Sequence, residues 1–238
     1  MPTISINRQW RLDSNQYFKE ETNKTQIVLH HTVGGSALST FKYWQSNPDR
    51  IATSYLVERD GTIYEVFDPL YWAFHLGLKL PKNILYNQRS IGIELASEGS
   101  LRTGNELNKK SNSTRFDINY LYAFDIDNPP FTYAKKLYHL YNDDVNGHKF
   151  FNAGTEWRDY MFFDSYDEPQ IVATIALVKH LCEQFSIPKQ LIPNEDKLEF
   201  DLATLDHSGI ITHANCRTDK TDLNPAFDWQ RLQDVLSS

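Results

Sequence analysis

The chain has 238 residues, 40% hydrophobic and 23% charged, the make-up of an ordinary soluble globular protein with material for a substantial core. Its formal net charge is −7, and Lys and Arg gather into nothing longer than pairs such as Lys109-Lys110 and Lys135-Lys136, so the basic footprint of a nucleic-acid binder is missing. No run approaches the ~20 apolar residues of a membrane span, Met1 to Arg8 lack the apolar stretch of an export signal, and the two cysteines, Cys182 and Cys216, make no disulfide framework.

Gln26 to His30 reads as a short buried strand, with a turn at Gly34-Gly35 behind it. Ser36 to Gln45 reads as a helix, with Leu38, Phe41 and Trp44 at a three-residue step and Ser36 as its cap. Thr53 to Glu58 and Thr62 to Phe67 flank Arg59-Asp60-Gly61, a hairpin signal. Ser90 to Leu95 is a further strand, with Ile91, Ile93 and Leu95 on one face and Gly92 and Glu94 on the other. From about Leu101 to Asp164 the pattern turns polar and rich in Asn, Tyr and Asp, and Pro129-Pro130 interrupts it. So long a stretch without a period is unusual in a compact domain. It reads as an insertion with strands or a small helix of its own, its aromatic and amide groups suited to one wall of a substrate cleft. Glu168 to Phe185 is a helix with an apolar stripe through Ile171, Ile175, Val178 and Leu181, stopped by Pro188. Gly209 to Thr212 is a last strand leading into a loop at His213, and Phe227 to Leu236 closes as a helix. This order predicts an α/β fold, a mixed central β-sheet flanked by helices, in one domain over residues 1–238. Its core spans about 26–99 and 168–237, with the insertion at about 101–164.

The chemistry concentrates near the strand ends. His213 is followed nine residues later by Asp222, and His30 ends the first buried strand. Two imidazoles and a carboxylate are a known ligand set for a catalytic zinc with an open fourth position. Glu94 is the one ionisable side chain on its strand and suits a general base, although a solvated strand carboxylate has the same pattern. Lys220, two before Asp222, suits an oxyanion stabiliser or a plain surface lysine. His75 lies among aromatic and small residues at a cleft edge, or is a hydrogen-bonded structural histidine. Cys182 falls in a helical stripe as a core residue, and Cys216 is not needed in the ligand set. His148 stands alone in the insertion.

Several stretches together resemble the zinc-dependent N-acetylmuramoyl-L-alanine amidases, the type that includes peptidoglycan recognition proteins and amidase-type phage lysozymes. They are Ile27 to Thr32, Ser54 to Tyr64, Phe74-His75-Leu76-Gly77, Asn87 through Ser90 to Leu95, and Thr212-His213 through Lys220-Thr221-Asp222 to Phe227, in family order. The resemblance implies His30, His213 and Asp222 as zinc ligands, with His30 preferred over His31. It also implies Glu94 as general base, Lys220 as oxyanion stabiliser, and His75 and Asn87 as substrate-binding residues. The implied partner is peptidoglycan or a muropeptide fragment, and the implied state a monomer. A non-catalytic recognition module and a zinc peptidase of the stem peptide are the rival readings. With no export signal visible the default expectation is cytoplasmic, with the wall reached as a phage lysin or by dedicated export. Departures from the family pattern are Thr53 where phage lysozymes have a tyrosine, Leu223-Asn224 in place of Pro-Gly, and Phe74 in place of a tryptophan.

Overall fold

The computed structural model describes residues 4–124, 134–140, 144–145, 148–192 and 198–238, and Pro129-Pro130 lie outside them. In chain order the strands begin with β1 (Ile6–Asn7), β2 (Gln26–His31), β3 (Tyr55–Val57), β4 (Ile63–Glu65) and β5 (Ser90–Leu95). They continue with β6 (Ser100–Thr103), β7 (Tyr120–Phe124), β8 (Ala134–His139), β9 (Asp144–Val145), β10 (His148–Trp157), β11 (Tyr160–Asp164) and β12 (Gly209–Thr212). The helices are α1 (Ala37–Ser46), α2 (Asn83–Arg89), α3 (Gly104–Ser111), α4 (Glu168–Phe185), α5 (His213–Cys216) and α6 (Trp229–Leu236).

Two six-stranded sheets result, with orders β1-β4-β3-β5-β2-β12 and β8-β7-β6-β11-β10-β9. The first is mixed: β12, β2, β5 and β3 run parallel, and β4 returns antiparallel through the hairpin expected at Asp60-Gly61. Strand β2 lies between β5 and β12 and is buried along its whole length, which accounts for its unbroken apolar run. The alternation of β5 is observed: Ile91, Ile93 and Leu95 are wholly buried in one core with Ile171, Ile175, Val178 and Leu181 of α4. On its other face Gly92 leaves no room for a side chain, since a Cβ there would stand 2.6 Å from Thr53 Cγ2 and 3.2 Å from His75 Nδ1.

Helix α1 starts as expected, its Ser36 cap accepting from the Ser39 amide. Ala37, Phe41 and Trp44 face inward, while Leu38 is exposed. Helix α6 begins at Trp229 rather than Phe227 because Asp228 caps it, accepting from the Arg231 amide. His213, expected on a loop, is the first residue of the single turn α5.

The polar stretch between the two amphipathic regions forms the second sheet with α3. A reciprocal box between Thr103 and Glu106 starts that helix. The sheets join at Asp164, the last residue of β11, whose side chain is fully buried. Its carboxylate accepts from Arg59, from Tyr138 Oη at 2.5 Å, from Ser97 Oγ at 3.3 Å and from the Glu98 amide at 2.6 Å. A carboxylate so surrounded satisfies donors from both sheets at once. Asp164→Ala should therefore cost roughly 3–5 kcal/mol, the scale for breaking a buried ion pair. Urea denaturation would check this, and a loss below about 1 kcal/mol, the size of a surface pair, would contradict it.

Candidate metal centre

The register of the parallel strands brings the site together. Thr212 pairs with Leu29, so His30 and His213 follow side by side at the ends of β2 and β12. On the other side of β2, His30 pairs with Glu94. Asp222 returns to the same point because the loop is closed at its base. Its carbonyl accepts from the Ala214 amide at 2.6 Å and from Thr212 Oγ1 at 3.0 Å. The outcome is a buried triangle: His30 Nδ1 to His213 Nδ1 is 3.0 Å, His30 Nδ1 to Asp222 Oδ2 is 3.2 Å, and His213 Nδ1 to Asp222 Oδ2 is 2.9 Å.

The outer ring nitrogens decide what this triangle is. Ser90 Oγ donates to the Tyr86 carbonyl at 2.7 Å, so it is free to accept from His75 Nε2 at 2.9 Å. His75 Nδ1 is then a lone pair, 3.0 Å from His30 Nε2, which carries the proton. His213 Nε2 lies 2.9 Å from the Leu76 carbonyl, an acceptor only, so it too carries its proton. In neutral rings both Nδ1 atoms then present lone pairs to the triangle, beside a carboxylate. Burial and the neighbouring His213 ring lower His30 to about 4, and burial followed by His30 holds His75 well below the usual imidazole range. Burial alone would raise Asp222, but the His213 and His30 imidazoles beside its carboxylate outweigh it and hold it well below the usual carboxylate range. A neutral imidazole at His30 and an ionised carboxylate at Asp222 are the protonation states that bind a metal. The His30–His213–Asp222 cluster has the donors to hold one, and it is the one such group among the described residues. Ligands about 2.0–2.1 Å from a tetrahedral ion lie about 3.3 Å apart, so a slight expansion would admit one.

Around this point opens a cleft of about 390 Å³. Ser39, Thr40, Tyr43 and Trp44 of α1 form one side and Lys220 and Thr221 the other, with Glu94 and His75 also lining it. Among the described residues, none from 101–164 lines this cleft, and α1 does. Glu94 is half-buried and its Oε2 has no hydrogen-bond partner. Burial, then the Asp222 charge, raise its carboxyl to about 8, partly offset by Lys220.

A family model described as N-acetylmuramoyl-L-alanine amidase matches residues 21–225. The chain belongs to that family. A search of curated protein sequences finds no match. Among solved structures, a mutant of PlyL overlays with a TM-score of 0.51 at 12% identity, covering 99% of this chain and 99% of that one. The E. coli amidase AmiD, in complex with the substrate anhydro-N-acetylmuramic acid-L-Ala-D-gamma-Glu-L-Lys, gives 0.50 at 16% identity, covering 92% of this chain and 59% of that one. At such identities these overlays bear on the fold alone.

Within this amidase the two neighbouring histidines of β2 diverge. The His31 ring turns to Tyr166 Oη at 3.1 Å and packs against Gly99, away from the triangle. Cys216 is buried, its thiol pushed up to about 12 chiefly by burial, which suits a core residue and not a ligand. His148 has a carboxylate neighbour, Asp167, at 3.0 Å.

Asn87 stands behind the cleft rather than in its wall. It is fully buried, and its Oδ1 accepts from the amides of His75 and Leu76 at 2.8 and 3.1 Å. It thus fixes the dipeptide that supplies the outer partner of each histidine. Neither Asn87 in this role nor Ser90 follows from ligand spacing; the one sequence signal is that both lie just ahead of Glu94. If His75 orients His30, His75→Phe should weaken divalent-cation affinity about 10–100-fold, the usual cost of losing an outer-sphere partner. His75→Asn, with Oδ1 in place of Nδ1, should retain most of it. Competition with a chromophoric chelator measures both, and equal affinities for the two variants would contradict the assignment.

Proposed function

We propose that this chain uses zinc, held by His30, His213 and Asp222, to hydrolyse the amide between the lactyl group of N-acetylmuramic acid and L-alanine in peptidoglycan or muropeptides. The convergence of two imidazole nitrogens and a carboxylate oxygen within 3.2 Å of one another, each ring held from behind through its other nitrogen, is the observation that supports a cation at this point. Zinc in such a site acts as a Lewis acid on the carbonyl and makes a nearby water acidic.

The remaining work falls to side chains of this chain. Glu94 lines the cleft and takes the proton of the attacking water. In the chain without a cation its carboxyl titrates near 8 for want of solvation, and a positive ion close by favours its ionised form. Once protonated, the same group delivers its proton to the departing amine of L-alanine. Lys220 faces the cleft from the ligand loop, where its ammonium offsets charge building on the carbonyl oxygen. His75 and Leu76 hold the two rings in register, with Asn87 behind them. Among the described residues the cleft walls offer no Ser or Cys placed beside a base as a nucleophile, since Ser39 bonds within α1 and both cysteines are buried away from the cleft.

The purified chain should bind one zinc ion, and His213→Ala should lose it, as read by atomic absorption after dialysis. His31→Ala should keep the metal; loss there with retention in His30→Ala would reverse the choice between the two neighbours. Glu94→Gln should keep zinc and substrate binding yet hydrolyse a muramoyl tripeptide at least about 100-fold more slowly. Near-normal turnover of that variant, followed by mass analysis of the released sugar and peptide, would remove Glu94 from the reaction.

A further inference from the structure

The second sheet stands behind the loop that carries His213, Lys220 and Asp222, and one side chain makes most of the connection. Arg158 occupies the turn between β10 and β11, where Trp157 pairs with Tyr160. Both turn residues are left-handed, Arg158 at φ 50° and Asp159 at φ 66°, a two-residue hairpin that usually takes Asn or Gly. An arginine held in this seldom-adopted conformation invites a reason. Its guanidinium supplies one: it donates to the carbonyls of Ala214 at 2.7 Å, of Arg217 at 2.6 Å, and of Lys220. Helix α5 is a single turn, so its last carbonyls fall outside any helical ladder and favour a cation. The planar fork of an arginine reaches carbonyls at this helix end and the Lys220 carbonyl beyond it at once, which a lysine does with poorer geometry.

The loop has two separately held parts. Its base is closed by the bonds from Ala214 and Thr212 to the Asp222 carbonyl, and that closure fixes the two ligands. Its arc, from residue 214 to residue 220, converges on Arg158. Ser100 of β6 adds a buried hydroxyl contact to Thr221 at 2.8 Å.

We infer that Arg158 is a positioning residue of the reaction: by gathering the carbonyls of the ligand loop it fixes where Lys220 enters the cleft, so that the second sheet tunes turnover without touching the metal ligands. This rests on the proposed role of Lys220. The inference separates two properties that a merely structural contact would move together, metal affinity and rate.

The test uses the zinc-loaded full chain with Arg158→Met, which keeps the aliphatic stem, and Arg158→Lys, which keeps a charge and guards against a variant that fails to fold. Arg158→Met should lower kcat about tenfold with KM within about threefold, part of the loss expected for removing an oxyanion donor. Zinc affinity should stay within about threefold, because the loop base is intact, and Arg158→Lys should fall between Met and the parent. In a Lys220→Ala background Arg158→Met should add less than about twofold, since residues acting through one another are not additive. Amide hydrogen exchange should quicken in residues 213–222 of Arg158→Met while residues 148–164 keep their protection. Unchanged exchange in 213–222 would overturn the inference whatever Lys220 does. Full multiplicativity with Lys220→Ala, or a loss of zinc affinity as large as the loss of rate, would overturn it too. If Lys220→Ala alone leaves kcat unchanged, the proposed chemistry of Lys220 fails, and the exchange measurement still decides whether Arg158 orders the loop.

Discussion

Everything at the site depends on the direction in which two imidazole protons point. An imidazole has one donor and one acceptor nitrogen when neutral, and a metal site needs the acceptor inside. Here the outside partners impose that choice. A peptide carbonyl at Leu76 can only accept, and Ser90 has already committed its proton to Tyr86, so the chain through His75 runs one way. The inner nitrogens are left bare within 3.2 Å of a carboxylate oxygen. Burial adds to this by disfavouring the imidazolium that would otherwise relieve the crowding.

The parallel strands explain why so few residues suffice. Side chains at the ends of β12, β2 and β5 fall in adjacent register, so His213, His30 and Glu94 need no long reach. Sheets of this kind place their working groups beyond the carboxyl ends of the strands, where the chain turns to helix or loop. The sheet's own core, from Ile27 to Leu29 and from Ile91 to Leu95 against α4, holds those ends in place.

Much of this was legible from residue patterns. The unbroken run before His30 and the stripe of α4 each reflect a single environment, and the alternation around Glu94 separates an apolar core face from a face that carries a glycine and the site carboxylate. The triad was legible as residue types, and the fold brings its three side chains together. What did not show were elements whose partners are distant. The strands of the second sheet alternate weakly because many of their residues are half-exposed, as in β10, so no period marked them. Asn87 carried a substrate-facing expectation, but its amide is spent on two backbone N–H groups, a role set by the fold of the 75–76 segment and invisible in spacing. The cleft wall was sought in the aromatic-rich insertion, whereas among the described residues α1 lines it with Tyr43 and Trp44.

Gly92 gives the site an unusual dependence on absence. The space a methyl group would fill is occupied from one side by Thr53 and from the other by His75 Nδ1, the atom that receives the His30 proton. A methyl group at this position would press on the ring from behind and tilt its lone pair off the His30 axis. A steric change on β5 would thus be read out as a shift in the acidity of an imidazole on β2. A side chain at residue 92 would need residues 53 and 75 to give way together, so these three positions form one steric unit although they lie on separate stretches of chain.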